Sequence, residues 1–217
     1  MKPRIVILSA PSGGGKTTIS EALRARRSDI GYSVSATTRK PRPGEVNGKA
    51  YHFVTPAEFD RMVRAGEFLE WAEYAGNRYG TLQREVDAVL QSGKHVLLDI
   101  EVQGAEQLWE KCADRSPIRI FILPPRGWIE RLKGRETESP ESLVRRAQRA
   151  IKEIQQALVW KQIVVNDDLD RVVAEVSQII DEGGTVIHRP SIQELNRLVQ
   201  NMMDEATRVA NDRKELR

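Results

Sequence analysis

A glycine-rich segment near the amino terminus has the residue types of a phosphate-binding loop. It reads SAPSGGGKTT, residues 9–18, and contains Gly15, Lys16 and Thr17, the second half of a Gly-x-x-x-x-Gly-Lys-Ser/Thr pattern. Backbone N–H groups of such glycines can converge on one anion, and the helix that follows adds the positive end of its dipole. The lysine would reach the β- and γ-phosphates, and the threonine hydroxyl would bind Mg²⁺. The segment therefore predicts a nucleotide site.

Ala10 stands where the pattern has its first glycine. Pro11 follows it, and a residue before proline is restricted to extended backbone with negative φ, which alanine adopts freely. We therefore expect an extended entry into a nest that the three glycines form. The residues expected to hold the donor nucleotide here are Ala10, Pro11, Ser12, Gly13, Gly14, Gly15, Lys16, Thr17 and Thr18.

Buried strands and helices alternate around this loop. Continuous apolar runs predict buried strands, and intervening amphipathic stretches predict helices. This alternation is typical of an α/β protein with a parallel sheet and helices on both faces. The expected strands are residues 4–9, 95–100, 118–123 and 163–165, and the expected helices are 17–27, 102–113, 127–135, 141–156 and 169–181.

Two stretches interrupt the alternation and suggest inserted pieces. Residues 33–82 are rich in Gly, Thr and Tyr with short alternating segments, which predicts a small, mostly β subdomain. Residues 126–155 are irregular and rich in arginine. The core then consists of residues 1–32, 83–125 and 156–190, with a C-terminal helix at 191–217.

Composition narrows the class of protein. The chain has 217 residues, of which 30% are charged and 40% hydrophobic, and this balance is typical of a globular protein. A net charge of +3 is too mild to indicate nucleic acid, and a single cysteine excludes a disulfide framework or a multi-cysteine zinc site. No apolar run approaches a membrane span, and the N-terminal run is too short for a signal peptide. We expect a soluble cytoplasmic protein without nucleic-acid or membrane partners.

Two arginines downstream have the chemistry of a second phosphate site. Arg39 and Arg42 lie three residues apart, close to hydroxyl side chains and Tyr51, in SVSATTRKPRPGEVNGKAYHFV, residues 33–54. The planar guanidinium fork suits phosphate oxygens, so the pair could hold a small phosphate. The alternative is a solvated basic loop.

The ordered set of motifs is similar to the guanylate kinase family, the nucleoside monophosphate kinases that phosphorylate GMP. The resemblance covers residues 4–182 and implies a P-loop kinase core, a GMP-binding subdomain at 33–82 and a lid at 126–155. Its motifs are SAPSGGGKTT, SATTRKPRPGEVNGKAYHFV, FLEWAEYAGNRYGT, LLDIEVQGA, the LPP…RLKGR…RR stretch and VVNDDLD.

The resemblance also implies which side chains hold GMP. Glu70 would accept hydrogen bonds from the N1–H and 2-amino group of guanine, which adenine cannot offer together. Glu101 stands where the family often has aspartate, and it keeps the negative charge on a side chain that is one methylene longer. The phosphate would be bound by Arg39, Arg42, Tyr51 and Tyr79, and the base would be contacted by Ser35, Glu70, Thr81 and Glu101.

For the donor nucleotide, the resemblance implies lid arginines and an adenine contact. Arg131, Arg135 and Arg146 fall where the family has arginines that clamp the ATP phosphates; the alternative is charge on a helix surface balanced by nearby glutamates. Asn166 matches a contact near adenine, and the resemblance implies that Asp99 would lie near Mg²⁺, through water, with Thr17 as a direct ligand. Glu136 follows the second of these arginines where the family often has glycine.

The implied reaction transfers a phosphoryl group from ATP to GMP without a general base, because the attacking GMP phosphate oxygen is already anionic. Lys16, Mg²⁺ and the lid arginines would stabilise charge, and both inserted pieces would close to exclude water. His52, His95 and His188 are therefore expected to have structural roles. Two alternatives remain: a phosphopeptide-binding scaffold on the same fold, which typically lacks the loop lysine or parts of the lid, and a kinase for another phosphorylated acceptor.

The C-terminal segment is the least similar to the family. Ser191 and Glu194 have the spacing of a capping box. An amphipathic helix follows that either packs on its own core or makes a homo-oligomer contact. Its apolar positions are Ile192, Leu195, Val199, Met202, Ala206 and Val209.

Overall fold

The computed structural model describes residues 2–74, 76–125, 127–129 and 140–211. Within these residues the chain divides into two compact units. The first unit comprises Met1–Ile7 and Arg24–Ile118, and the second comprises Leu8–Leu23 and Arg119–Arg217. No helix in the described residues is long and apolar enough to cross a membrane.

A five-stranded sheet of order β2-β7-β1-β8-β9 is the main sheet of the fold. Strand β8 pairs in parallel with β9, as the apolar runs predicted, and β2 pairs in parallel with β7. The expected strands are confirmed to within one residue at each end, whereas β2 was not anticipated. The five strands are β1 (Ile5–Ser9), β2 (Ile30–Tyr32), β7 (His95–Asp99), β8 (Ile118–Leu123) and β9 (Gln162–Val165).

The helices expected at 17–27, 102–113, 141–156 and 169–181 are confirmed to within two residues at each end, whereas the helix at Gln83–Gln91 was not anticipated. Most of the helix expected at 127–135 lies outside the described residues. The helices are α1 (Lys16–Arg26), α2 (Pro56–Arg64), α3 (Gln83–Gln91), α4 (Val102–Lys111), α5 (Pro140–Ala157), α6 (Leu169–Asp181) and α7 (Ile192–Asn211).

A second sheet, of order β4-β3-β6-β5, lies in the first unit. Its strands are β3 (Ala36–Thr37), β4 (His52–Phe53), β5 (Phe68–Tyr74) and β6 (Asn77–Leu82), and β6 runs antiparallel to β3 and β5. The inserted piece is thus mostly β, but it also contains α2, which was not expected.

Helix α2 carries a clear start signal. The side chain of Thr55 accepts a hydrogen bond from the backbone N–H of Glu58 at 3.2 Å, and Pro56 occupies the first helical position, where its missing N–H costs nothing. Phe59 and Met62 then pack on the second sheet in a small core of their own with Ala36, Phe68 and Leu82.

Helix α6 begins immediately after β9 and the Asn166 turn. The backbone N–H of Arg171 donates to the Asp168 side chain at 2.8 Å, so Asp168 is the N-cap of the helix. The carboxylate of Asp167 pairs with the Arg171 guanidinium at 2.5 Å.

Helix α7 packs on α5 of the same chain. Its capping box is confirmed: Ser191 N donates to Glu194 at 2.9 Å, and Glu194 N donates to Ser191 Oγ at 3.2 Å. Leu195, Val199 and Met202 are buried, whereas Ile192, the first helical residue, is 71% exposed and does not belong to the packed face. The side chains of Ala206 and Val209 lie outside the description, and the homo-oligomer contact stays a prediction.

Candidate active site

The glycine-rich loop joins the buried strand β1 to the start of α1, which begins at Lys16. Gly13 and Gly15 have φ values of +79° and +86°, in the left-handed region that favours glycine. Ala10 does not, since Ser116 is the one non-glycine residue with positive φ in the described part of the chain. Position 10 thus does not require a positive φ, as we expected for a residue that precedes proline.

Gly14 is required for a different reason, which is close packing inside the loop. A Cβ atom at this position would lie 2.8 Å from the Ala10 Cβ and 2.9 Å from the Pro11 carbonyl oxygen. The Gly14 N–H donates to that same oxygen at 2.9 Å. It therefore closes a turn within the loop, and the nest expected from three glycines rests on Gly13 and Gly15.

Three side chains from later in the second unit hold the loop. The amide nitrogen of Asn166 donates to the Gly14 carbonyl at 2.7 Å. The Arg146 guanidinium donates to Ser12 Oγ at 2.9 Å, and the indole of Trp128 donates to the Ser12 carbonyl at 2.7 Å. The loop is thus fixed from β9, from α5 and from the segment that follows β8.

The residues expected to hold the donor nucleotide differ in their exposure and in their contacts with the loop. Lys16 is half-buried at the start of α1, and the hydroxyl residues Thr17 and Thr18 are exposed. Arg146 reaches the loop, whereas Arg131 and Arg135 lie outside the described residues.

Asn166 and Trp128 add contacts that the sequence reasoning did not anticipate. Asn166 is buried and engages the loop backbone, and a Cβ on Gly15 would collide with its amide nitrogen. Its contact to adenine stays a prediction. Trp128 was missed because a tryptophan in a helical pattern is ordinarily a core residue, and here it is both buried and bonded to the loop.

In the first unit, Glu70 on β5 is a buried carboxylate with only 6% of its surface exposed. Its Oε1 accepts from Thr81 twice, from the backbone N–H at 3.1 Å and from the hydroxyl at 2.5 Å. The two residues face each other across the β5–β6 pair. On α4, Gly104 leaves room for the other oxygen, because a Cβ there would collide with Glu70 Oε2. The structure therefore brings Glu70 and Thr81 together as expected and adds Gly104.

The two arginines of the expected phosphate site are organised by one carboxylate. The guanidinium of Arg39 donates to both oxygens of Glu45, at 3.0 and 2.8 Å, and the backbone N–H of Arg42 donates to the same carboxylate at 2.7 Å. These hydrogen bonds lower the pKa of Glu45, and Glu45 raises the pKa of Arg39. Sequence reasoning missed Glu45, although it lies in the same quoted motif.

Two tyrosines expected at this site border the Arg39 guanidinium. The carbon at its centre lies 5.4 Å from the ring centroid of Tyr51, within the range of a cation–π contact. Tyr79 contributes to the raised pKa of Arg39, and the two tyrosine rings meet edge to face with centroids 5.9 Å apart. Ser35 lies between β2 and β3, half-buried, and its carbonyl accepts from His52 N at 2.9 Å.

Asp99 and Glu101 lie at the carboxyl end of β7. Asp99 is its last residue and is less buried than the apolar residues before it, and Glu101 is the N-cap residue of α4. This edge of a parallel sheet is where ligands of open α/β sheets bind.

Two of the three histidines make side-chain contacts that suit the structural roles expected of them. His52 hydrogen-bonds with Glu85 at 3.1 Å, and His188 hydrogen-bonds with Glu182 at 2.6 Å. His95 is buried at the start of β7. None of these contacts involves a residue of the expected nucleotide sites.

Mg²⁺ prefers oxygen ligands and keeps several waters when it binds with nucleotide phosphates. The hydroxyl of Thr17 in the second unit and the carboxylate of Asp99 in the first are each oxygen donors that suit this preference. In the described residues no three His, Cys, Asp or Glu side chains cluster as a protein-only metal site would require.

Comparison with known proteins identifies the family. The sequence profile described as guanylate kinase matches residues 2–183. The chain is 49% identical to a guanylate kinase of Novosphingobium aromaticivorans over 80% of this chain and 79% of the relative, and 44% identical to one of Symbiobacterium thermophilum over 82% and 86%.

A solved structure supports the same assignment. The crystal structure of guanylate kinase from Anaplasma phagocytophilum has a TM-score of 0.65 at 32% identity and covers 89% of this chain and 93% of its own. The P-loop kinase fold, the motifs and the matched length agree, and the chain belongs to the guanylate kinase family.

Proposed function

We propose that this chain transfers the γ-phosphoryl group of ATP to GMP, giving ADP and GDP, in the cytoplasm and with Mg²⁺. The observation that carries the choice of acceptor is the buried Glu70 carboxylate, which Thr81 holds by two hydrogen bonds beside the space left by Gly104. Family membership supports the same reaction.

The Glu70 carboxylate suits guanine for a simple chemical reason. Guanine presents two adjacent donors, N1–H and the 2-amino group, and a carboxylate is an acceptor at every lone pair. Adenine presents an acceptor at N1, which would face the buried carboxylate without a proton between them. A buried polar group left unpaired costs about 1–3 kcal/mol, and more when charged, so adenine is rejected.

The phosphate of GMP would bind at Arg39, Arg42, Tyr51 and Tyr79, with Ser35 and Glu101 completing the acceptor site. Glu45 holds Arg39 through both oxygens and accepts from the backbone N–H of Arg42. A guanidinium that the protein itself orients loses less conformational entropy when it binds a phosphate.

Catalysis would depend on alignment and charge stabilisation. A GMP phosphate oxygen attacks the γ-phosphorus of ATP, a new P–O bond forms, and the bond to the bridging β–γ oxygen breaks, leaving ADP. Because the attacking oxygen is anionic, no side chain has to remove a proton. Lys16, the loop N–H groups and Arg146 would stabilise the charge on the transferring group.

Several further assignments belong to this proposal. Mg²⁺, held by Thr17 and through water by Asp99, would neutralise phosphate charge. Arg131 and Arg135 would clamp the ATP phosphates together with Arg146, and Asn166 would contribute near adenine. Ala10, Pro11, Ser12, Gly13, Gly14, Gly15 and Thr18 complete the donor loop.

A panel of acceptors tests the proposal. ADP formation from ATP is measured by a coupled assay with GMP, AMP, UMP or CMP at equal concentration. We expect rapid turnover with GMP alone. Turnover with another nucleotide and not with GMP would indicate a different acceptor, and no turnover with any would favour a phosphopeptide-binding scaffold.

Lys16→Met tests the donor loop. Removing the ammonium group while keeping a chain of similar size should lower kcat by about 100-fold or more, because charge on the transferring group loses a close partner. Lys94→Met, on an exposed turn before β7, should leave kcat unchanged. If Lys16→Met folds and keeps its turnover, the loop does not hold the donor phosphates.

Glu70→Gln tests the reading of guanine. An amide presents a donor where the carboxylate accepts, so kcat/KM for GMP should fall about 10- to 100-fold and the preference over AMP should narrow. Glu73→Gln, on an exposed position of the same strand, is the matched control. Unchanged GMP kinetics in Glu70→Gln would mean that the base is recognised elsewhere.

A further inference from the structure

One peptide group of the phosphate loop, between Ser12 and Gly13, has its direction fixed from outside the loop. A trans peptide group is planar, and its C=O and N–H point in opposite directions. No cis peptide occurs in the described residues. A group that hydrogen-bonds to the Ser12 carbonyl oxygen therefore also sets the direction of the Gly13 N–H. Because the Gly14 N–H closes the turn, this N–H is one of the two glycine N–H groups that remain to bind an anion.

Trp128 holds that carbonyl. Its indole nitrogen donates to the Ser12 oxygen at 2.7 Å, and the side chain is fully buried. An indole N–H can only donate, and leaving it buried without an acceptor would destabilise the fold. The bond is thus favoured by the burial of the ring, and it turns the Ser12 oxygen towards Trp128 and the Gly13 N–H away from it.

The backbone beside Trp128 is itself anchored. The N–H of Gly127 donates to a carboxylate oxygen of Glu205 at 3.1 Å, and Glu205 lies on α7. Helix α7 in turn packs on α5, the helix that carries Arg146. The tryptophan is therefore held by its own burial and by a contact of its neighbour with the C-terminal helix.

We propose that Trp128 is a positioning residue for the donor nucleotide. It holds the Ser12 carbonyl so that the Gly13 N–H points at the phosphates, and it does not touch the nucleotide itself. Asn166 fixes the next-but-one peptide group in the same way through the Gly14 carbonyl. This inference rests on the proposed function in one respect, that the loop binds the donor phosphates.

Trp128→Phe is the direct test, because it keeps an aromatic ring and removes the N–H. Affinity for ADP with Mg²⁺ is measured by calorimetry, and KM for ATP, KM for GMP and kcat are measured in the coupled assay. The loss of one orienting hydrogen bond should weaken ADP binding and raise KM for ATP about three- to tenfold, with KM for GMP unchanged.

Trp160→Phe is the matched control. Trp160 is equally buried in the same unit and packs edge to face on Phe121 of β8, with ring centroids 5.9 Å apart. It should lose a similar amount of unfolding free energy in urea but keep the affinity for ADP. Unchanged ADP affinity in Trp128→Phe, or an equal loss in both variants, would overturn the proposal.

A measurement on the unsubstituted protein covers the case in which Trp128→Phe does not fold. The four tryptophans give four indole N–H signals in a nitrogen-15 spectrum. The Trp128 signal should exchange slowly with solvent and shift when ADP is added. Exchange as fast as that of Trp71, which is 38% exposed, or no response to ADP, would contradict the proposal.

Failure of the proposed function can be distinguished from failure of the positioning role of Trp128. Its failure would show in the unsubstituted protein, as no GMP-dependent formation of ADP from ATP. The positioning role would fail in a protein whose loop binds ADP, through any of the outcomes named above for Trp128→Phe or for the Trp128 indole signal.

Discussion

The carboxylate of Glu70 is buried within the first unit, and the burial of this charge constrains what surrounds it. An ionised carboxylate loses its hydration when it is buried, so it needs donors in fixed places. Thr81 supplies two of them from the neighbouring strand, which requires the β5–β6 register to be kept. Gly104 must lack a side chain for the carboxylate to fit. A base with two adjacent donors would complete this arrangement, as we propose for guanine.

The backbone of the glycine-rich loop in the second unit is subject to a related constraint. For N–H groups to converge on a phosphate, the carbonyl groups of the same peptides must point outwards and find donors of their own. The indole N–H of Trp128 donates to the Ser12 carbonyl, and the side-chain amide of Asn166 donates to the Gly14 carbonyl. In the function we propose, these two hydrogen bonds would hold the loop in the form that binds an anion, as catalysis by electrostatic preorganisation requires.

Sequence reasoning could predict features that are local in the chain. Buried strands follow from continuous apolar runs, and Lys16 follows from its spacing to the glycines. Glu70, by contrast, looks like an ordinary surface carboxylate in its strand, and only the family resemblance singled it out. Trp128 and Gly104 act on partners distant in the chain, 116 positions away for Trp128 and Ser12. No local pattern reports such contacts, because the fold alone brings these residues together.

The most direct test of the central claim, that Glu70 reads both guanine donors, compares GMP with inosine monophosphate in the unsubstituted protein. Hypoxanthine keeps the N1–H and lacks the 2-amino group, so one hydrogen bond to a charged acceptor is removed and nothing else changes. Hydrogen bonds of this kind contribute about 1.5–3 kcal/mol, so kcat/KM should be about 10- to 150-fold higher for GMP. Equal values of kcat/KM for the two nucleotides would contradict the account.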